Sequence, residues 1–167
     1  MLKPVNLYSL VALGSQYVVV LEEIGGPRLL PIWIGPSEGN SIAMFVNQVR
    51  LPRPMTHDLF ISMLTVLKAK VTKVIITDLK ESTFFASIFI ESENETHELD
   101  ARPSDSIAIA LRCAAPVFVH ERVFDQCEPL LKPISRDEVD DFKNKLTDLK
   151  PEDIYKDIQK PPDNPSS

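Results

Sequence analysis

The stretch VNLYSLVALGSQYVVVLEEIGGPRLLPIWI, residues 5–34, decides the fold class. It divides into three strand-like runs, which cover residues 5–13, 17–22 and 28–34. The runs are separated by Gly14-Ser15 and by Gly25-Gly26-Pro27, and glycine readily adopts the positive φ that tight hairpin turns need. The sequence therefore begins with three predicted strands joined by two hairpin turns.

The third run contains a proline. Pro31 has no backbone donor for a sheet ladder, so we expect this strand to lie at an edge or to carry a bulge. An apolar strand edge from Leu29 to Ile34 would need to be covered. We therefore expect the chain to form a homo-oligomer.

Helices and further strands follow along the chain. Apolar residues at helical spacing predict helices over residues 37–49, from Thr56 to near Ala69, and over residues 105–114. Strands are predicted over residues 71–79 and 83–91, in a short run ending at Ala101, and over residues 117–120. The pattern predicts an α+β fold, with a mostly antiparallel or mixed β-sheet, about three packed helices and a C-terminal amphipathic helix.

The C-terminal part is predicted to be separate from this domain. Ser135-Arg136-Asp137-Glu138 has the capping-box pattern and precedes an amphipathic, charged run. We expect one domain over residues 1–134, a helical extension over 135–158 with a loosely packed segment after Pro151, and a disordered tail over 159–167.

Composition limits the classes of function. The chain has 167 residues, enough for one domain with a real core, and a formal net charge of −6. An acidic balance disfavours a broad duplex-binding face, although it permits a local basic cleft and suits a metal-assisted site that handles phosphodiesters. The sequence lacks a signal-peptide pattern and a long apolar segment, and it has two widely spaced cysteines. We therefore expect a cytoplasmic protein without a membrane role.

Polar residues gather at the starts of two predicted helices. Arg53, His57 and Asp58 flank one start, and Asp100, Arg102 and Asp105 flank the other. A helix N-terminus with an adjacent arginine is suited to binding phosphate. Neighbouring aspartates could hold Mg²⁺ or Mn²⁺, and a nearby histidine could act as a general base.

A purely structural role would explain the same residues. Thr56 and Ser104 have the chemistry of helix caps, and no base stands at a recognisable spacing from either hydroxyl. Aspartates in a first helical turn complement the helix dipole, and neighbouring arginines can pair with them. Glu38, in the first turn of the first predicted helix, has the same two interpretations.

Four segments resemble the bifunctional nuclease domain family. They are Leu30-Pro31-Ile32-Trp33-Ile34-Gly35 followed by Glu38, then Arg53-Pro54-Met55-Thr56-His57-Asp58, then residues 99–108 (LDARPSDSIA), and then Ala115-Pro116-Val117-Phe118-Val119. The resemblance implies a compact α+β fold and, for some members, cleavage of both RNA and DNA. Ser106 stands where the family pattern often has alanine. The family's motif positions correspond here to Glu38, Arg53, Thr56, His57, Asp58, Asp100, Arg102, Ser104 and Asp105.

Two main hypotheses follow. The first is a nuclease of low sequence specificity acting on RNA and DNA by metal-assisted phosphodiester hydrolysis, with Mg²⁺ or Mn²⁺. Its candidate catalytic residues are His57, Asp58, Asp100 and Asp105, its candidate metal ligands are Asp58, Asp100, Asp105 and Glu38, and its candidate substrate-binding residues are Arg53, Arg102, Thr56 and Ser104.

The alternative is a non-catalytic homo-oligomer that binds a small anion or a protein partner. The first hypothesis needs the two polar clusters to meet, whereas the second predicts that they are separate and self-satisfied. A regulatory factor that binds nucleic acid without cutting it is a third interpretation, which the acidic balance disfavours.

Overall fold

The structure is a computed structural model that describes residues 1–133 and 136–156. Its centre is one eight-stranded sheet in the order β6-β5-β4-β7-β1-β2-β3-β8, in which β4 and β7 pair in parallel and the other neighbours are antiparallel. The strands are β1 (Leu2–Leu13), β2 (Gln16–Glu23), β3 (Arg28–Ile34), β4 (Lys70–Lys80), β5 (Thr83–Ser92), β6 (Glu95–Ala101), β7 (Val117–His120) and β8 (Leu130–Leu131). The predicted α+β class with a mixed sheet is confirmed.

Six helices accompany the sheet in the described part of the chain. They are α1 (Pro36–Val46), α2 (Thr56–Val66), α3 (Pro103–Cys113), α4 (Glu121–Asp125), α5 (Arg136–Asp148) and α6 (Pro151–Ile154). The short α4 was not predicted. The alanine-rich α3 packs on β4 and β5, while α1 and α2 both pack against α3. None of the helices in the described residues has the length and apolar character needed to cross a membrane.

The first two hairpins form as the glycines predict. Gly14 and Gly25 adopt φ of 58° and 76°, which is the left-handed region that most other residues avoid. The resulting β1–β2–β3 meander supplies most of the fully buried valine, leucine and isoleucine side chains of the main core. It also brings the end of β3 to the start of α1.

The prediction that Pro31 lies at a sheet edge is confirmed. β8 pairs only with Arg28 and Leu29, so Pro31 lies beyond that pairing, where its missing donor costs nothing. At this edge the buried Tyr155 donates its hydroxyl hydrogen to the Pro31 carbonyl at 3.1 Å, so the chain itself covers part of it. The homo-oligomer that we expected from this edge stays a prediction.

The segment after Pro151 is also packed more firmly than the sequence predicted. Ile154 and Tyr155 are buried, and the Glu128 amide donates to the Ile154 carbonyl at 2.8 Å. The predicted capping box begins at Ser135, which lies outside the described residues, as does the predicted disordered tail. The boundary between residues 134 and 135 stays a prediction.

A buried hydroxyl in α3 has no hydrogen-bond partner. Ser106 is fully buried, and within the described residues its Oγ atom neither donates nor accepts a hydrogen bond. Leaving a buried hydroxyl unsatisfied costs about 1–3 kcal/mol. Ser106 is also the position at which this chain departs from the alanine that the resembling family often has.

Replacing Ser106 with alanine should therefore stabilise the protein. We expect Ser106→Ala to raise the free energy of unfolding in urea by about 1–2 kcal/mol. Ser62→Ala is the matched control, because Ser62 lies on the exposed side of α2 with its hydroxyl bonded to the Asp58 carbonyl. The control reports the intrinsic helix preference for alanine, about 0.5 kcal/mol. A gain at position 106 no larger than that at position 62 would contradict this account of Ser106.

Candidate functional site

The two helix starts that carry the predicted site residues differ from expectation. Met55, not Thr56, is the N-cap of α2, and its backbone amide donates to the Asp58 carboxylate at 3.0 Å. Arg102, not Ser104, is the N-cap of α3. α3 begins earlier than predicted because proline, here Pro103, is well suited to the first position of a helix. The predicted capping roles of both hydroxyls are therefore wrong.

A buried histidine joins three helices. His57 near the start of α2 places Nε2 2.9 Å from Asp105 Oδ1 on α3, and Nδ1 2.8 Å from Ser41 Oγ on α1. The two predicted polar clusters thus meet through His57 and Asp105, which are 48 positions apart. Both ring nitrogens are occupied, as a buried imidazole requires.

Donor and acceptor roles can be assigned to the hydrogen bonds around His57 without conflict. Arg112 Nη2 donates to Ser41 Oγ at 2.9 Å, and a guanidinium has no acceptor. Ser41 can then donate its own hydrogen to His57 Nδ1, and the Nε2–H can donate to Asp105. This assignment satisfies every member of the chain.

A second ion pair lies beside this chain. Arg112 Nε is 2.6 Å from Asp58 Oδ1, and the Arg112 side chain is only 6% exposed. Its other donors reach the Ala108 carbonyl at 3.0 Å and the Ser41 carbonyl at 3.2 Å. The hydrogen bond from Arg112 holds the pKa of Asp58 below its ordinary value, even though partial burial opposes this. Asp58 therefore serves first as the partner of a buried arginine.

The outer side of the site is an exposed arginine bound to two carboxylates. Arg102 Nε lies 2.7 Å from Asp105 Oδ2, and Arg102 Nη2 lies 2.9 Å from Glu38 Oε1. These bonds raise the pKa of Arg102, most strongly through Asp105. Its side chain is 65% exposed, whereas that of Asp105 is 28% exposed. The name "polar cluster" is used below for Glu38, Ser41, His57, Asp58, Arg102, Asp105 and Arg112.

Four predicted site residues lie outside the polar cluster. Asp100 is exposed on β6, because successive strand residues face opposite sides and Ala101 is the one that packs beneath α3. Thr56 is exposed at the first position of α2. Arg53 is exposed beside Asp58 and Arg112 in a groove of about 300 Å³, and it forms no ion pair with the described residues. Ser104 is buried and lines a different pocket.

Two members of the polar cluster were missed by the sequence analysis. Arg112 carried a usable signal, because it is the one basic residue in the otherwise small and apolar α3 and a buried charge there needs a partner. Ser41 carried none, since a serine between apolar residues of a helix is usually unremarkable.

The predicted metal ligands do not form a ready-made site. Among the described residues, no three histidine, cysteine, aspartate or glutamate side chains are grouped so as to hold a metal ion. Asp58 is paired with Arg112, and Asp100 lies on the other face of the sheet. Glu38 and Asp105 remain close, because both bind the guanidinium of Arg102. Metal use therefore stays a prediction, now confined to that pair.

The polar cluster lies within a known family domain. A family model described as the bifunctional nuclease domain matches residues 19–131, which include every residue of the polar cluster. The chain belongs to this family.

Similar proteins differ in how much is known of them. An uncharacterized protein of Mycobacterium tuberculosis is 39% identical over 149 residues, which span 84% of this chain and 89% of the relative. Bifunctional nuclease 1 of Oryza sativa subsp. japonica is 30% identical over 66% of this chain. Bifunctional nuclease 1 of Arabidopsis thaliana is 28% identical over 62% of it. The matched segments span 34% and 33% of these two plant relatives, so about a third of each is compared.

The Asp58–Arg112 ion pair makes a prediction about pH. Because the pKa of Asp58 is lower in the folded state, its contribution to stability is present above the ordinary aspartate pKa of 3.8 and is lost as pH falls through the lower folded value. Asp58→Asn should lower the free energy of unfolding at neutral pH by about 1–3 kcal/mol and flatten its loss in acid. Asp100→Asn, at an exposed aspartate, is the control and should leave the acid dependence unchanged. The measurement is urea unfolding from neutral pH to below 3.8; equal acid slopes for wild type and Asp58→Asn would contradict this role.

Proposed function

We propose that this chain is a nuclease that hydrolyses phosphodiester bonds of RNA and DNA with low sequence specificity. The observation that carries the proposal is the placement of Asp105. One carboxylate oxygen is held by His57 and the other by the exposed Arg102, at the N-terminal end of α3. The names of the plant relatives support the same chemistry, which comes to this chain through the shared family domain.

Arg102 is the proposed phosphate ligand. Because its side chain is mostly exposed, the guanidinium can turn from the carboxylates to a phosphate without leaving a charge buried. A guanidinium matches the geometry of phosphate oxygens, and the positive end of α3 favours an anion at the same place. Arg53, which has no ion pair among the described residues, can contact a neighbouring phosphate.

Asp105 is the proposed general base. Its carboxylate is partly exposed, and its Oδ2 atom becomes free to accept a proton from an attacking water when Arg102 turns to the phosphate. His57 is a positioning residue in this proposal, because both of its ring nitrogens are already hydrogen-bonded within the protein. Ser41, His57 and Asp105 form a hydrogen-bonded chain in the order of a nucleophilic triad. Ser41 is buried, however, and its oxygen accepts a hydrogen bond from Arg112. We therefore assign it no nucleophilic role.

The charges of the site favour help from a divalent cation. Glu38 and Asp105 are opposed by one guanidinium, and a phosphodiester adds a further negative charge. Mg²⁺ and Mn²⁺ suit such oxygen-rich sites, and Mg²⁺ is often held by one or two carboxylates together with substrate phosphates. Glu38 and Asp105 would hold the ion, which would neutralise charge at the phosphate and lower the pKa of a bound water.

The test is cleavage of single-stranded RNA and DNA by the purified protein in Mg²⁺, Mn²⁺ or EDTA. Asp105→Asn should lower the rate by about 100-fold or more, because it removes the base while keeping the shape of the side chain. Arg102→Gln should weaken substrate binding and reduce its dependence on salt. Asp100→Asn is the matched control and should retain full activity. Circular dichroism of each variant checks that it is folded.

Cleavage that continues equally in Asp105→Asn and Arg102→Gln would come from a contaminant and would overturn the proposal. Full activity in EDTA would overturn the metal part alone.

The alternative, a homo-oligomeric binding module, is favoured by one separate observation. α2 exposes an apolar stripe at helical spacing, and the hydroxyls of Ser62 and Thr65 are bonded back to the carbonyls of Asp58 and Ile61. More exposed apolar residues lie at the end of α1 and in the segment that follows it. These eight exposed apolar side chains form a surface of the kind that marks an interaction site. They are Phe45, Val46, Val49, Leu51, Leu59, Met63, Val66 and Leu67, with exposures from 39% to 81%.

We propose that this surface binds a second copy of the chain. Sedimentation of wild type should give a dimer or larger, and Met63→Lys with Val66→Lys should give a monomer. Ile24→Lys, at an exposed residue of the β2–β3 turn, is the control and should leave the assembly intact. A monomeric wild-type protein at all accessible concentrations would contradict the proposal. Loss of assembly with full cleavage would separate the two functions.

A further inference from the structure

A pocket of about 350 Å³ opens beside the polar cluster. It lies where the end of β3, the β4–β5 turn, the start of α3 and the segment around α6 come together, and Arg102 forms part of its wall. Its volume is at the lower end of the roughly 300–1,000 Å³ that small-molecule pockets occupy. The pocket is therefore large enough for one nucleotide unit but not for a duplex.

Three aromatic side chains line this pocket, namely Trp33, Phe84 and Tyr155. The ring centroid of Tyr155 lies 5.5 Å from that of Trp33 and 5.2 Å from that of Phe84, with interplanar angles of 87° and 79°. Tyr155 is buried and its hydroxyl is fixed on the Pro31 carbonyl, whereas Trp33 and Phe84 are partly exposed. A fixed tyrosine thus holds two rings in place against a space that a planar ligand can enter.

The same pocket adjoins the starts of two helices. Gly35 and Arg102, the N-caps of α1 and α3, both line it, and neither helix start has a side-chain cap for its free amides. Each helix also carries an acidic residue in its first turn, Glu38 in α1 and Asp105 in α3, so the group that would bind an added anion is the exposed Arg102. Ser104 also lines the pocket, at only 7% exposure.

From this geometry we propose that the pocket binds an unpaired nucleobase of single-stranded RNA or DNA, with the phosphate of that nucleotide at Arg102. This inference rests on the proposed nuclease function and places one substrate unit relative to Asp105. Every base has a π-face, so stacking on Trp33 and Phe84 is tolerant of sequence. A base within a duplex is already stacked and paired, so a single strand is the preferred substrate.

The C-terminal segment completes this binding site. Pro151 and Tyr155 line the pocket but lie after residue 131, where the match to the family domain ends. They are held by the Glu128–Ile154 backbone hydrogen bond and by the bridge between Cys127 and Tyr155. The segment after the domain thus contributes directly to substrate binding.

Trp33 offers a direct probe, because it is the only tryptophan in the chain. Adenosine 5′-monophosphate should quench its fluorescence saturably. Adenosine, which lacks the phosphate, and ribose 5-phosphate, which lacks the base, should each bind at least about tenfold more weakly, the scale of one lost base stack or charged contact. A short oligoadenylate should bind more tightly than the monophosphate.

A substitution at the pocket mouth provides the matched test. Thr83 is exposed at the start of β5 and lines the pocket, so Thr83→Tyr should fill the entrance and weaken binding by at least about tenfold. Thr96→Tyr makes the same change at an exposed position of β6 and should bind like wild type. Circular dichroism checks the fold of both variants, and the comparison of ligands on wild type needs no variant at all.

The outcomes separate this inference from the proposed function. Asp105→Asn should lose cleavage and still show quenching, because binding needs no chemistry. Quenching without cleavage by wild type would retain the pocket and overturn the nuclease, whereas cleavage without quenching would retain the nuclease and overturn the pocket. Equal quenching by ribose 5-phosphate would show a simple anion site and would overturn the proposed base pocket. Tighter binding of the monophosphate than of the oligoadenylate would also overturn the base pocket.

Discussion

A histidine ring that is removed from water must find a partner for each nitrogen, and this requirement organises the helical side of the molecule. His57 meets it with Ser41 on α1 and Asp105 on α3, so the positions of three helices are set by one side chain. The buried Arg112 extends the same constraint, because its donors are shared between Ser41 and Asp58. A network of this kind is stable only when every member is satisfied.

The charged side chains of the polar cluster differ in their exposure to solvent. The Arg112 side chain is only 6% exposed and has a structural role. The Asp105 side chain is 28% exposed, and that of Arg102 is 65% exposed. The interior part of the network can therefore hold the fold while the exterior part exchanges partners. Arg102 lines the aromatic pocket and also binds the two carboxylates, so it stands between them and the space proposed for a base. The buried Arg112 side of the network therefore stabilises the fold, and the exposed Arg102 side is available for the proposed chemistry.

Sequence reasoning succeeded where a signal is local and periodic. The glycine turns, the long strands and the apolar faces of the helices follow from backbone preference and spacing. It failed at the helix starts, because the residue at the N-cap is decided by the first φ/ψ values, and proline at position 103 moved the start of α3 ahead of Ser104. Asp100 was assigned to the site through nearness in sequence, whereas strand alternation directs it to the other face.

The meeting of His57 and Asp105 was predicted only as a requirement of the nuclease hypothesis, since no local rule joins residues so far apart. The place of Ser41 in the polar cluster and that of Tyr155 in the aromatic pocket depend on tertiary packing. No sequence pattern predicted either of them. The shared family domain supports the proposed class of chemistry, while the contacts of Ser41 and Tyr155 are seen only in the packing of the folded chain.

The most direct test of the central claim is a double-mutant cycle for unfolding, with His57→Ala, Asp105→Ala and the double variant. If the His57–Asp105 hydrogen bond joins α2 to α3 as described, the two effects should be non-additive, with a coupling energy of about 1–3 kcal/mol. Additive effects, with a coupling below about 0.5 kcal/mol, would contradict the account.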